Sequence, residues 1–205
     1  MSDLPLSLPA ALDPAFVDAL DPPGKLVAAL EALGPVADRD VLIVDASGGP
    51  FVRALEAAGA RVTHAPAGRP LKLAAADGSA DVVIGLWSAF RGLAPNETAE
   101  VDRVLRPGGR HLVVHEYGRD DVSRLLGERP EYGTWSRRNG PFLKDGFKIR
   151  VVHCFWTFDS IEDGRDFLGA AFGEVGRLVG AEMTRPRLSY NLAVYHRTFE
   201  GPNGA

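Results

Sequence analysis

The side chains best suited to chemistry stand at the ends of short apolar runs. His115-Glu116-Tyr117 closes the run His111-Leu112-Val113-Val114. An imidazole or a carboxylate placed there can take a proton from a substrate hydroxyl or amine. The plainer role for the same three residues is to anchor the following loop by hydrogen bonds. Asp45-Ala46-Ser47-Gly48-Gly49 closes the run Val41-Leu42-Ile43-Val44, and Pro50 then opens a helix whose apolar residues are Phe51, Val52 and Leu55. Proline suits a first helical turn, where its missing N–H is not needed. A strand, a glycine turn and a helix start form the half-unit with which many α/β proteins hold a nucleotide. Trp135 with Arg137 and Arg138 offers a stacking or charge-assisted clamp for an aromatic or anionic substrate, or a solvated basic loop. His153, in the run Val151-Val152-His153-Cys154-Phe155-Trp156, reads as a core histidine, and the lone Cys154 as a buried small hydrophobe. His64, His111 and His196 show no metal-ligand spacing. Nucleophile-elbow, P-loop and CxxC patterns are absent.

The elements that must position these residues alternate. The apolar runs predict strands at 41–44, 61–64, 81–86 and 111–115. Helices are expected at 51–58, ended by Gly59, and at 96–105, with Asn96 as its N-cap. Arg106-Pro107-Gly108-Gly109 reads as a turn that stops the second helix. Residues 65–70 carry proline and glycine and predict no regular structure. Strand, helix, strand, connection, strand, helix, strand implies a parallel sheet with helices on both faces. Its ligand crevice lies beyond the carboxyl ends of the strands, where residues 45–49, 64–66, 86–90 and 115–117 converge.

Beyond residue 118 the pattern changes. A short helix at 119–126 precedes a long polar connection, 127–146. Connections of that length are more often functional than idle. A strand at 147–158, a helix opened by Ser160 and Asp163, and a strand at 187–199 complete the chain. At the other end, Pro5, Pro9, Pro14, Pro22 and Pro23 forbid a long helix in residues 1–23. Asp13-Pro14 opens a short helix through Leu20, and residues 26–33 form another, ended by Gly34-Pro35. The expected organisation is an N-terminal helical arm over residues 1–40, packed or partly ordered. A domain over 41–205 follows, with a loop or cap insertion at about 118–146.

With 205 residues the chain has room for a proper core, and a net charge of −4 argues against a nucleic-acid footprint. One cysteine rules out an internal disulfide. There is neither a leader-like N-terminal segment nor an apolar run long enough to span a bilayer, so a cytoplasmic protein without membrane contact is the expectation.

Three stretches resemble the class I S-adenosylmethionine-dependent methyltransferases of the type 11 kind. Asp77-Gly78-Ser79-Ala80-Asp81-Val82-Val83 is similar to that family's DGSFDVV approach to its fourth strand. Val104-Leu105-Arg106-Pro107-Gly108-Gly109-Arg110 is similar to its RVLRPGG turn into the fifth strand. Residues 41–55 stand at its first motif, and Gly59-Ala60-Arg61-Val62-Thr63 at its second strand. The resemblance covers residues 41–115. It implies a doubly wound, mostly parallel seven-stranded sheet of Rossmann-like type with the last strand antiparallel. It also implies S-adenosylmethionine as cofactor, held near Asp45, Ser47, Gly48, Gly49, Trp87 and Ser88. The motif is degenerate. Ile43 stands where the family has an acid, Asp45 and Ser47 where it has two of three glycines, and Gly49 alone is kept. The ribose-binding acid that ends the second strand falls near Pro66, and residues 69–76 hold no carboxylate for an adenine amino group.

Two functions follow as expectations. One is methyl transfer from S-adenosylmethionine to a small molecule, with His115, Glu116 or Tyr117 orienting or deprotonating the acceptor; such transfer needs mainly positioning and exclusion of water. The other is a binding or interaction module that keeps the fold without the cofactor site.

Overall fold

The computed structural model describes residues 3–22 and 24–201; Pro23, one of the prolines noted above, lies outside them. The chain runs α1 (Asp13–Ala19), α2 (Lys25–Leu33), β1 (Asp40–Val44), α3 (Pro50–Ala57), β2 (Arg61–Ala65), β3 (Ala80–Leu86), α4 (Pro95–Val104), β4 (Leu105–Glu116), α5 (Asp121–Leu126), β5 (Lys148–Thr157), α6 (Ile161–Ala181) and β6 (Arg187–Thr198). Among the described residues the strands form one sheet in the order β2-β1-β3-β4-β6-β5. The first four are parallel, and β6 runs antiparallel to both β4 and β5.

The sheet is doubly wound, mostly parallel, with its last strand antiparallel, but it has six strands rather than seven. The missing one would flank β2. Residues 66–79 make no strand because their backbone is committed elsewhere. Pro66, Gly68 and Pro70 break the extended ladder. The following segment is tied to α4: Leu73 N–H donates to Glu100 (2.7 Å), and Arg103 donates to the carbonyls of Leu73 (3.0 Å) and Ala75 (2.9 Å). Leu71 and Leu73 are buried on the sheet without being part of it.

Because both faces are covered, the central strands read as continuous apolar runs. Val41, Ile43, Ile84, Val114 and Leu192 face a core built with α1, α2, α3, α5 and α6. Leu42, Val44, Val83, Val113 and Tyr195 face a second core closed by α4 and by aromatic residues of the long connection, Trp135 and Phe142. Phe142 stacks on Tyr195 with ring centroids 4.1 Å apart. The connection expected at 127–146 is therefore a packed cap on one face.

Several local expectations change. Asn96 lies inside α4; the helix begins at Pro95, and Glu97 turns back to accept the Ala94 N–H at 2.7 Å. A carboxylate in the first turn does the capping that Asn96 would have done. Helix α4 does stop before Arg106, but residues 106–109 continue as the start of β4, with Gly108 N–H bonded to Phe199 O at 2.7 Å. Helix α6 is capped by Ser160, whose Oγ accepts the Asp163 N–H at 3.0 Å, and it breaks at Gly173, where φ is 60°. His153 is exposed rather than in the core, since β5 is an edge strand; its ring meets Asn191 Oδ1 at 2.8 Å. Cys154, one residue on, points inward and is buried, and burial raises its thiol pKa.

Candidate active-site crevice

The carboxyl ends of β1, β3 and β4 carry the turns that build the crevice. After β1 the backbone reverses at Asp45, whose φ is 65°. Its amide donates to Ala65 O at 2.8 Å, and His64 Nδ1 lies 2.7 Å from Ala46 O, so β2 fixes the turn from one side. Gly49 has φ 131°, a value that side chains oppose, and releases the chain into α3.

The turn is filled by the protein itself. Asp3 is wholly buried; one carboxylate oxygen accepts the Val52 N–H at 2.7 Å, and the Asp3 amide donates to Gly48 O at 3.1 Å. Trp87 Nε1–H donates to Asp3 O at 2.5 Å. A Cβ on Gly49 would lie 1.6 Å from the second carboxylate oxygen, so the fit depends on glycine there. Helix N-termini favour an anion, and Asp3 supplies one. Its second oxygen has no partner among the described residues, and burial raises its pKa against the lowering effect of the Val52 and Phe51 amides and of Arg53.

The predicted catalytic trio is split by the pleat. Side chains alternate across a strand, so His115 and Glu116 face opposite sides of the sheet. His115 is fully buried against Trp135, with ring centroids 4.8 Å apart, and burial drives its pKa down to about 3. Tyr117 packs against the same core. Glu116 faces the crevice, buried, 3.0 Å from Arg129, and its pKa is raised by desolvation. A second pair lies beside it: buried Glu131 meets Arg91 at 2.6 Å and leaves its other oxygen without a partner. The Tyr190 hydroxyl, buried on the Glu116 side of the sheet, is also unpartnered.

Two cavities meet at Ser88 and Arg91. One, of about 480 Å³, is lined by Leu4, Leu6, Leu8, Trp87, Arg129 and Glu116. The other, of about 570 Å³, lies beside Asp45, Arg69, Leu71, Phe90 and Glu97. Ser88 is exposed between them, whereas Trp87 is buried against Phe51. The clamp read at Trp135, Arg137 and Arg138 is not assembled. Trp135 is buried under Arg91, and Arg137 turns back to Gly133 O at 2.8 Å. Asp3, Arg91, Arg129, Glu131 and Tyr190 escape a reading of the sequence. The one signal for Asp3 is indirect: a glycine turn opening a helix leaves N–H donors that need an acceptor.

No protein-family model matches the chain, and no curated protein matches its sequence. Solved structures do match. A putative type II methyltransferase from Anaeromyxobacter dehalogenans aligns over 86% of this chain and 96% of its own, with TM-score 0.53 and 16% identity. The putative methyltransferase solved in complex with the Trm112 methyltransferase activator of Haloferax volcanii aligns over 90% and 92%, with TM-score 0.51 and 16% identity. This chain has the class I methyltransferase fold. The MccD protein aligns over 83% and 96%, with TM-score 0.52 and 13% identity. At such identities the likeness is one of fold, and fold does not fix function.

Measured against a methyltransferase cofactor site, the residues present do not fit. Ile43, at the family's acidic position, is fully buried in the core. Strand β2 ends at Ala65 before Pro66, with no carboxylate there to grip ribose hydroxyls. The glycine turn already holds Asp3. Among the described residues no group of three His, Cys, Asp or Glu side chains could hold a metal ion. Among those residues, too, no helix is long and apolar enough to cross a membrane.

Proposed function

We propose that this protein is a small-ligand-binding module on the methyltransferase fold, with its cofactor turn closed by its own N-terminal arm. One observation carries the reading: the Asp3 carboxylate seated on the Val52 N–H inside the glycine turn. A molecule using that turn must first remove a buried side chain and break the bonds from Trp87 and to Gly48. The crevice beyond it remains large enough for a small molecule, at about 480 Å³.

The test is thermal unfolding of the full chain with S-adenosylmethionine or its demethylated product. A ligand at a hundredfold excess over Kd adds about 2.7 kcal/mol. The expected result is no shift at millimolar concentration of either; a saturable shift would overturn the reading.

S-adenosylmethionine-dependent methylation of a small molecule is the second reading. The cavity of about 570 Å³ at the switch point between β1 and β3, with Asp45 on its wall, favours it. Under it Glu116, which faces the crevice, is a better proton acceptor than the fully enclosed His115.

A further inference from the structure

The arm has the composition of a ligand. Asp3 presents a carboxylate, and Leu4, Leu6 and Leu8 follow it into the cavity wall. The head is received by the Val52 N–H at 2.7 Å, and the Trp87 indole N–H takes the adjoining carbonyl at 2.5 Å. Arg53 adds a favourable field, and the cavity mouth holds two further cations, Arg91 and Arg129. Yet the head is incompletely served: its second oxygen is buried and accepts no hydrogen bond from the described residues. A buried acceptor left unpaired weakens the docked state, so this contact is open to competition. The apolar part of the wall comes from the leucines and Trp87; the polar part comes from Ser7, Asp13, Ser88, Glu116 and two arginines that are each paired to a buried glutamate.

We infer that the crevice binds a small carboxylate carrying an apolar chain, which takes the seat of Asp3 at the start of α3 and lays its chain where Leu4, Leu6 and Leu8 pack. This deepens the proposal that the glycine turn is closed to the cofactor: the arm is then a resident stand-in for the ligand. A free carboxylate brings the same planar anion without the tether to the chain. It can also turn its second oxygen toward the mouth, where the arginines are.

The experiment titrates decanoate and, separately, decanol into the wild-type chain and into Asp3→Ala, following tryptophan fluorescence, with circular dichroism to establish folding. Removing the resident carboxylate is expected to tighten decanoate binding at least tenfold and to leave decanol unchanged. Equal decanoate affinity in the two chains would overturn the inference, and so would an equal gain for decanol. Should Asp3→Ala not fold, the same contrast is read in the wild type from the Val52 amide resonance. It should move saturably with decanoate and stay fixed with decanol; an unmoved amide sinks the idea. In the Asp3→Ala background, Val52→Pro removes the donor at a first-turn position where proline is tolerated, and should reverse the gain. S-adenosylmethionine is not a reagent here. A thermal shift with it in the wild type would therefore count against the closed turn and leave the decanoate contrast standing.

Discussion

The two ends of one sheet treat charge in opposite ways. At the amino end, Arg106 reaches Asp40 and Asp81 at 2.9 Å each, Arg61 reaches Asp40 at 2.8 Å, and Asp81 accepts the Asp40 N–H at 2.9 Å. These groups are partly open to water and mutually satisfied. At the carboxyl end, Asp3, Glu116 and Glu131 are buried, and Asp3, Glu131 and Tyr190 each keep an unpartnered oxygen. Satisfied, hydrated ion pairs hold strands in register at small cost. Buried, incomplete ones are expensive and mark where a ligand or a moving segment belongs.

The contrast predicts a ladder of effects. The largest is Arg91→Ala, which strands the Glu131 carboxylate in the interior and should cost about 3 kcal/mol in urea unfolding. Adding Glu131→Gln should restore much of that. If Arg91→Ala is as stable as the parent, Glu131 is not a buried charge.

Next is pH. His111 and His115 are enclosed on the cap side of β4, and burial holds both well below the usual imidazole range, His115 at about 3. Their folded pKa values are depressed, so the unfolded chain binds more protons below about pH 6.5, for His115 down to about pH 3. Stability from this source is complete above pH 6.5 and falls as pH drops, by about 1.4 kcal/mol per pH unit per histidine. Glu116 and Asp3, whose values burial raises, act in the opposite sense. His111→Phe with His115→Phe should flatten the Tm against pH profile between pH 6.5 and 5. An unchanged slope would show that the imidazoles are not neutral in the fold.

Smaller effects belong to the amino end. Arg106→Ala should lower Tm by about 3 °C, and 1 M salt should shrink that loss while leaving the Arg91→Ala loss in place. A salt-independent Arg106 effect would contradict the assignment of that corner to hydrated ion pairs. Smallest is Arg124→Ala, which breaks an exposed pair with Glu182 and should leave Tm within about 1 °C.

The same contrast explains what the sequence could and could not disclose. Two of the stretches that signalled the fold, residues 77–83 and 104–110, meet at the amino end: Arg106 of one binds Asp81 of the other. They are markers of sheet assembly and say nothing of a ligand at the far end. Apolar runs revealed the central strands because these bury both faces, while β2 and β5 at the edges show shorter or alternating runs. The seventh came only from resemblance, and Pro66, Gly68, Pro70 and the Glu100–Arg103 tethers account for its absence. The crevice was legible in its location, through the turns after β1, β3 and β4, but not in its occupants. Asp3 stands 46 positions before Gly49 in number and touches it through a fold no local pattern encodes. Placing His115 and Glu116 side by side in one site ignored the pleat, which sends neighbours to opposite faces.

One consequence concerns β2. With six strands, its outer side faces no neighbour, whereas β1 lies between β2 and β3. In a parallel ladder alternate amides point to alternate sides. Every second N–H of β2 is therefore left to water, while all those of β1 are enclosed. Hydrogen exchange should read this as a two-speed strand beside a slow one. Arg61 N–H donates to Arg39 O at 2.9 Å, so fast exchange should fall on Val62 and His64 and be absent at Val41.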